Sequence, residues 1–268
     1  MFSHGTLCFL VLAVFAVEKC SASVFYNLLN KTANIDKLTD EQKLRILNVN
    51  PHTNGKVHLH RDCRALNRFE NKTSGIYIIQ PKDSHPLAVY CDMETANGGW
   101  IVLQNVSRNG RTSFAEPWST YQHTFGDMET DHWLGNEYIH LITQQAHYEV
   151  KFIIQSESER VEIDYASFNI ESEANKYTLR LGSPIGESAF HDYLTKDGSS
   201  DNMMFSTKDE DNDRDPTQNC ADISGGGWWF NHCSSVMLNS INQIHWPGIC
   251  DNCKSATILI KPSAENCK

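Results

Sequence analysis

The stretch DEDNDRD, Asp209 to Asp215, runs directly into PTQNC and then, after ADIS, into GGGWWF, Gly225 to Phe230. Five of its seven residues are carboxylates, and like charges that close together repel strongly unless something compensates them. Two readings are open. Asp209, Asp211 and Asp213 alternate with other residues, so an irregular loop can aim at least two carboxylates at one hard cation, and calcium accepts oxygen ligands in irregular geometry. The other reading is a solvated acidic loop. An EF-hand is excluded by content: counted from Asp209, Arg214 stands where the loop glycine belongs and Cys220 where the bidentate Glu belongs.

Outward from this loop the sequence takes on a different character. The region from Ser183 to Gly227 is rich in loop residues and long enough to form a subdomain. On either side lie short strand-like pieces that alternate with turn residues: GIYIIQ, LAVYCDM, WIVLQ, YEVKFIIQ, VEIDYASFNI, YTLRL and ATILIKP. EYIHLITQQ has helical spacing. These elements predict an α+β fold, a mixed antiparallel sheet with short helices and long loops. Ahead of them, residues 23–59 form a short polar leader, in which Leu38 to Leu47 has helical periodicity and Thr39 and Gln42 are spaced as a capping box. No heptad run supplies a coiled-coil stalk.

Residues 1–22 read as a secretory signal peptide. LCFLVLAVFAV, Leu7 to Val17, is too short to span a bilayer, and Ser21, Ala22 and Ser23 supply the small residues of a cleavage site. The n-region carries no Lys or Arg. Three glycosylation sequons follow at Asn30, Asn71 and Asn105, none with Pro in the middle position. Together with nine cysteines they place the protein in the oxidising secretory pathway, so the expected location is extracellular. A net charge of -10 disfavours nucleic acid and anionic membrane surfaces as partners.

Removal of residues 1–22 leaves seven cysteines, so at least one lacks an intrachain partner and is available for a disulfide-linked oligomer. Cys250-Asp-Asn-Cys253 is open to three readings: a redox pair, half a zinc site, or a local disulfide. The strand-like KSATILIKP that follows favours a disulfide there or a bridge to Cys267, because a redox CxxC ordinarily opens a helix.

RDC at Arg61 to Cys63, SGIYIIQP at Ser74 to Pro81, VYCDMET at Val89 to Thr95, GGW at Gly98 to Trp100, HWLGNEYIHLIT at His132 to Thr143, FSTKDEDND at Phe205 to Asp213 and GGWWFNHC up to Cys233 resemble the fibrinogen C-terminal domain family, whose members include the fibrinogens, ficolins and angiopoietins. The motifs stand in the family's order from about His60 to Pro262, and a domain over 60–266 is expected. The resemblance implies disulfides Cys63–Cys91 and Cys220–Cys233. It also implies one Ca2+ held by the side chains of Asp211 and Asp213 with two carbonyls of the following turn, assigned here to Asp215 and Thr217. That turn, RDPTQ, is one residue longer than the family pattern. The family further implies a cis peptide at His232–Cys233, at a cost of about 3–4 kcal/mol for a non-proline bond, beside a ligand pocket onto which His232, Cys233, Ser234 and Trp246 would map. Ser234 replaces a pocket His of the ficolin branch, and MLNSINQIHWPGICDNCKSATILIKP is shorter than the family's C-terminal segment.

The implied function is a secreted, non-enzymatic recognition protein that binds an extracellular receptor or matrix component. A calcium-dependent lectin for acetylated glycans is the alternative. Enzyme signatures are missing: the sequence has no GxSxG elbow, no HExxH helix and no P-loop, and His58 and His60 have no visible third ligand.

Overall fold

Ser255–Pro262 alternates so that both faces of its strand are buried. Ile258 and Ile260 point into the main core, while Leu259 joins Trp100 and Val102 on the opposite face. A strand buried on both sides belongs in the middle of a sheet. The computed structural model puts it there, and it describes residues 28, 30–48, 59–70, 73–196, 199–233, 236–240 and 243–263.

The strands are β1 (Gly75–Ile79), β2 (Leu87–Asp92), β3 (Trp100–Ser107), β4 (Phe125–Gly126), β5 (His132–Trp133), β6 (Tyr148–Gln155), β7 (Arg160–Ile170), β8 (Leu179–Leu181) and β9 (Ser255–Pro262). They form one sheet in the order β1-β2-β3-β9-β6-β7-β8, antiparallel throughout, with β5 paired to β3 and to β4. Ile260 of β9 is flanked by Ile101 on one side and Val150 on the other, and Ile258 by Gln104 and Phe152. All seven strand-like segments of the sequence are strands in this sheet. EYIHLITQQ forms the helix Asn136–Gln144, whose Ile139 and Ile142 are buried.

The leader is part of this structure. Thr39 and Gln42 form the capping box reciprocally: the Thr39 N–H donates to Gln42 Oε1 at 2.8 Å and the Gln42 N–H to Thr39 Oγ1 at 3.2 Å. This starts α1 (Asp40–Asn48). Just upstream, Asn34 adopts φ 57°, a left-handed conformation that Asn tolerates better than most residues. From there its side chain donates to Ala88 O (3.1 Å) and Thr124 Oγ1 (2.8 Å) and accepts from the Ala88 N–H (3.0 Å). Ala33 bridges Leu87 in parallel, Leu38 is buried, and the Gln42 amide reaches Asp127 and Glu129. Residues 30–48 therefore lie on the globe as a strap. The signal peptide, residues 49–58, Asn71, Ser234 and Cys267 fall outside the described residues.

One ion cluster sits on the sheet itself. Lys151, 6% exposed, donates to Glu162 (2.7 Å) and Asp164 (3.0 Å). Burial works against its charge, but the two carboxylates more than offset this and hold the ammonium above its ordinary range. Lys151 in turn holds Glu162 below the ordinary carboxylate range.

Two outcomes are expected. Asn34→Ala orphans the N–H and C=O of Ala88 and should lower unfolding free energy by about 2–3 kcal/mol in chemical denaturation. Lys151→Met should cost about 1–2 kcal/mol at neutral pH, a modest figure because both carboxylates keep contact with water. A depressed carboxylate contributes stability above its unfolded pKa and loses it as pH falls through the folded value. The gap between wild type and Lys151→Met should therefore close below about pH 4, as followed by denaturation across pH 3–7.

Candidate functional site: the acidic loop and the disulfide-bound excursion

Between β8 and β9 the backbone leaves the edge of the sheet and returns to its centre, and both the acidic stretch and GGGWWF lie on this excursion. They are joined by backbone. The Ser206 N–H donates to Trp228 O (2.9 Å) and the Trp228 N–H to Ser206 O (3.1 Å), while the Arg214 N–H donates to Asn231 O at 3.0 Å. Trp228, Trp229 and Phe230 are each 1% exposed. The Trp229 indole N–H donates to Tyr177 O at 2.8 Å, and its ring packs against Phe205 and Trp133 with centroids 5.2 and 6.0 Å apart. The carboxylates thus sit beside a Trp pair because the two segments form a ladder, with the aromatic side chains inward and the acidic ones outward.

The glycines before the Trp pair are required by close approach. A Cβ on Gly226 would lie 1.6 Å from Asn239 O, and one on Gly227 would meet the Phe205 and Tyr121 rings at 2.8 Å. The Tyr121 hydroxyl accepts from the Gly227 N–H (2.9 Å) and donates to Phe114 O (2.7 Å). Burial pushes this phenol far above its ordinary pKa, so it stays neutral.

Within the loop, the carboxylates divide into two kinds. Asp209 accepts from the Thr207 hydroxyl (2.8 Å) and the Trp118 N–H (2.9 Å), and these donors outweigh burial and hold it below its ordinary range. Asp215 accepts from the Thr217 hydroxyl and N–H and from Gln218, and is likewise lowered. Both are satisfied internally. Asp213 differs. Its two oxygens accept from the Asp215 N–H (2.8 Å) and the Cys220 N–H (2.8 Å), yet burial and the neighbouring Asp211 carboxylate leave its pKa raised. Among the described residues no Lys or Arg forms an ion pair with Asp211 or Asp213. The carbonyls of Asp215 and Thr217 accept no backbone hydrogen bond among the described residues. Asp211 and Asp213 are thus neighbouring carboxylates without a Lys or Arg counter-charge among the described residues, and carboxylate oxygens are ligands of the kind a hard cation takes.

Both implied disulfides are present: Cys63–Cys91, and Cys220–Cys233 with Cα atoms 4.8 Å apart. The latter closes the acidic loop against α4 (Cys220–Ser224; α2, Cys63–Glu70, and α3, Asn136–Gln144, precede it), which Asn219 caps through the Asp222 N–H at 3.0 Å. Asp215 lies close to both sulfurs, but thiols locked in a disulfide are not metal ligands.

Cys250 and Cys253 are joined to each other, the local disulfide of the three readings, and in this bonded form neither sulfur is a thiolate available to zinc. They close the turn into β9, where the Cys253 N–H donates to Ile244 O at 2.7 Å. Cys250 is thereby removed as a candidate intermolecular link.

The pocket residues implied by the resemblance are not arranged as expected. The His232–Cys233 peptide is trans, since no cis bond occurs among the described residues. His232 is exposed, but Trp246 is fully buried, packs on Phe152 and donates its indole N–H to His191 O at 3.1 Å. It anchors the loop from within. Asn30 is exposed, as an acceptor for a glycan must be. Asn105 instead lies within β3, its amide donating to Thr130 O (3.0 Å) and accepting from Thr257 (2.8 Å). A glycan on that nitrogen would compete with the first of these bonds.

The model of the family described as "fibrinogen beta and gamma chains, C-terminal globular domain" matches residues 59–263. Among curated proteins, the sequence is 40% identical over 220 residues to a fibrinogen-like protein 1-like protein of Gallus gallus, covering 79% of this protein and 76% of that one. It is 36% identical over 191 residues to angiopoietin-4 of Bos taurus, covering 70% of this protein and 36% of the relative, so it spans about a third of that protein's length. Among solved structures, the fibrinogen-like globe domain of human ANGPTL2 superposes with a TM-score of 0.70 at 31% identity, over 76% of this protein and 99% of that domain. A lamprey fibrin D-dimer in complex with the peptide Gly-His-Arg-Pro-amide superposes with a TM-score of 0.70 at 25% identity, over 97% and 88%. With this sheet order, these two disulfides and a family match over most of its length, the protein belongs to the fibrinogen C-terminal globular domain family.

Proposed function

We propose that the protein is a secreted, non-enzymatic recognition molecule that binds an extracellular protein partner through the excursion between β8 and β9, with one calcium ion bracing the acidic loop. One observation carries the first part. The large apolar side chains exposed among the described residues are Ile185, Phe190, Met204 and Ile223, and all four lie on this excursion, Phe190 being 82% exposed. Exposed aromatic and aliphatic groups on loops fixed by a rigid scaffold are the usual anchors of protein interfaces. The lamprey fibrin neighbour, which holds a peptide ligand, gives this fold a precedent for polypeptide recognition. Three disulfides suit an oxidising compartment, and no helix among the described residues is long and apolar enough to cross a membrane.

The calcium part rests on Asp211 and Asp213, whose charge nothing else in the loop cancels. Their carboxylates would hold the ion together with the carbonyls of Asp215 and Thr217, and the ion would supply the opposing charge that the loop backbone needs.

Calorimetric titration of the wild-type protein should show one calcium site, and the Asp211→Ala/Asp213→Ala variant should lose it; full binding by the variant would remove the calcium reading. Separately, Phe190→Asp should weaken binding of the labelled protein to cell surface or matrix by about tenfold or more at unchanged Tm, as expected for loss of an aromatic anchor. Undiminished binding, or retention on immobilised N-acetylglucosamine that free sugar releases, would favour the glycan-binding alternative.

A further inference from the structure

On the side of the sheet where α2 packs, the protein builds a cationic cleft although its net charge is -10. α2 presents Arg64, Asn67 and Arg68 at helical spacings of three and four, hence on one face. Across from them stand Asn97, Glu149 and Lys261, and together they line an open cleft of about 450 Å³. That volume falls within the range of small-ligand sites.

The cleft is held in shape from several directions. Cys63, at the head of α2, is bonded to Cys91 of β2. A Cβ on Gly99 would come within 2.8 Å of the Arg64 Cα, so the helix is pressed against the Gly98-Gly99 turn. Asn67 donates to Asn97 O at 2.9 Å, and Arg64 donates to Pro262 O. Lys261 donates to Ala96 O at 3.3 Å, and its ammonium lies 4.1 Å from the centroid of the Trp100 ring. Among the described residues that line the cleft, three are cationic and one, Glu149, is a carboxylate, 3.9 Å from Lys261. Burial, together with the charges of Arg64 and Lys151, pushes the Lys261 ammonium below its ordinary range.

We propose that this cleft binds the sulfate ester of a short sulfated glycan. Arginine forks and a lysine match the charge and oxygen geometry of such an ester. The rest of the lining selects the carrier. The Asn67 and Asn97 amides and the Glu149 carboxylate can hydrogen-bond the hydroxyls of a sugar. The negative charge of the whole molecule works against a long polyanion at distances beyond the cleft and favours a ligand of one or two sugar units.

The test is a titration of the full-length protein with an N- and 6-O-sulfated uronate–glucosamine disaccharide, followed by NMR shifts at low and physiological salt. The expected result is saturable binding at one site, weakened by salt, and reduced about tenfold in Arg68→Glu, the loss expected for one charge-assisted contact. Arg68 is exposed on α2, and the Tm of the variant is measured beside its affinity; Arg64→Gln serves as a second variant in the same cleft. Phe190→Asp should bind the disaccharide as wild type does, which separates this site from the excursion. Equal affinity of Arg68→Glu and wild type, equal binding of the desulfated disaccharide, tighter binding of a sulfotyrosine peptide, or no binding by the wild type at low salt would each overturn the proposal.

Discussion

The structure depends on the burial of β9, the last described strand, between β3 and β6. Its residues lie in a ladder on both sides: Leu259 pairs with Val102 and Lys151, and Ile260 with Ile101 and Val150. A central antiparallel strand satisfies its backbone only when both neighbours are in place, so the two halves of the sheet are held together by a segment far from each in sequence. This position also fixes the excursion that precedes it. The backbone departs from β8 at the sheet edge and must come back to the centre, which anchors the loop-rich half at two separated points. A long loop region can be specific in shape under that constraint, where a loop between adjacent strands could not.

Within the excursion, the order comes from aromatic packing and backbone pairing more than from regular elements. Phe205, Trp229, Trp133 and Tyr121 meet edge to face or tilted with centroids 5.1–6.0 Å apart, and Gly226 and Gly227 let the backbone pass where any side chain would collide. Gln104 and Asn239 add a buried side-chain hydrogen bond between the sheet and the excursion. The acidic residues face away from this packing, so their mutual repulsion is a local cost that the aromatic layer can tolerate and that a cation would relieve.

Much of this was legible in the residues. Short apolar pieces bounded by turn residues marked the seven principal strands, and the Thr39/Gln42 pair marked a helix start whose two hydrogen bonds both form. The two-residue strands Phe125–Gly126 and His132–Trp133 are too short to carry a period. Asn34 gave no local signal, because its partners Ala88 and Thr124 lie 54 and 90 residues away. Trp246 was mapped to a pocket by the family resemblance, yet it is buried against Phe152 and bonded to His191, partners far from it in sequence. Asn105 matches a sequon in three letters, but its environment is set by β5 and β9. The cleft beneath α2 was unreadable for the same reason: Arg64 and Lys261 are brought together only by folding.

The strap formed by residues 30–48 has a consequence for where this domain begins. Similarity to the family starts at residue 59, yet the amide and carbonyl of Ala88 are completed by a residue 54 positions earlier, and Leu38 fills the core from the same side. The unit that evolution has copied and the unit that is thermodynamically whole therefore have different edges. A protein cut at residue 59 would keep the whole family match and lose both the polar partner of Ala88 and an apolar residue of the core.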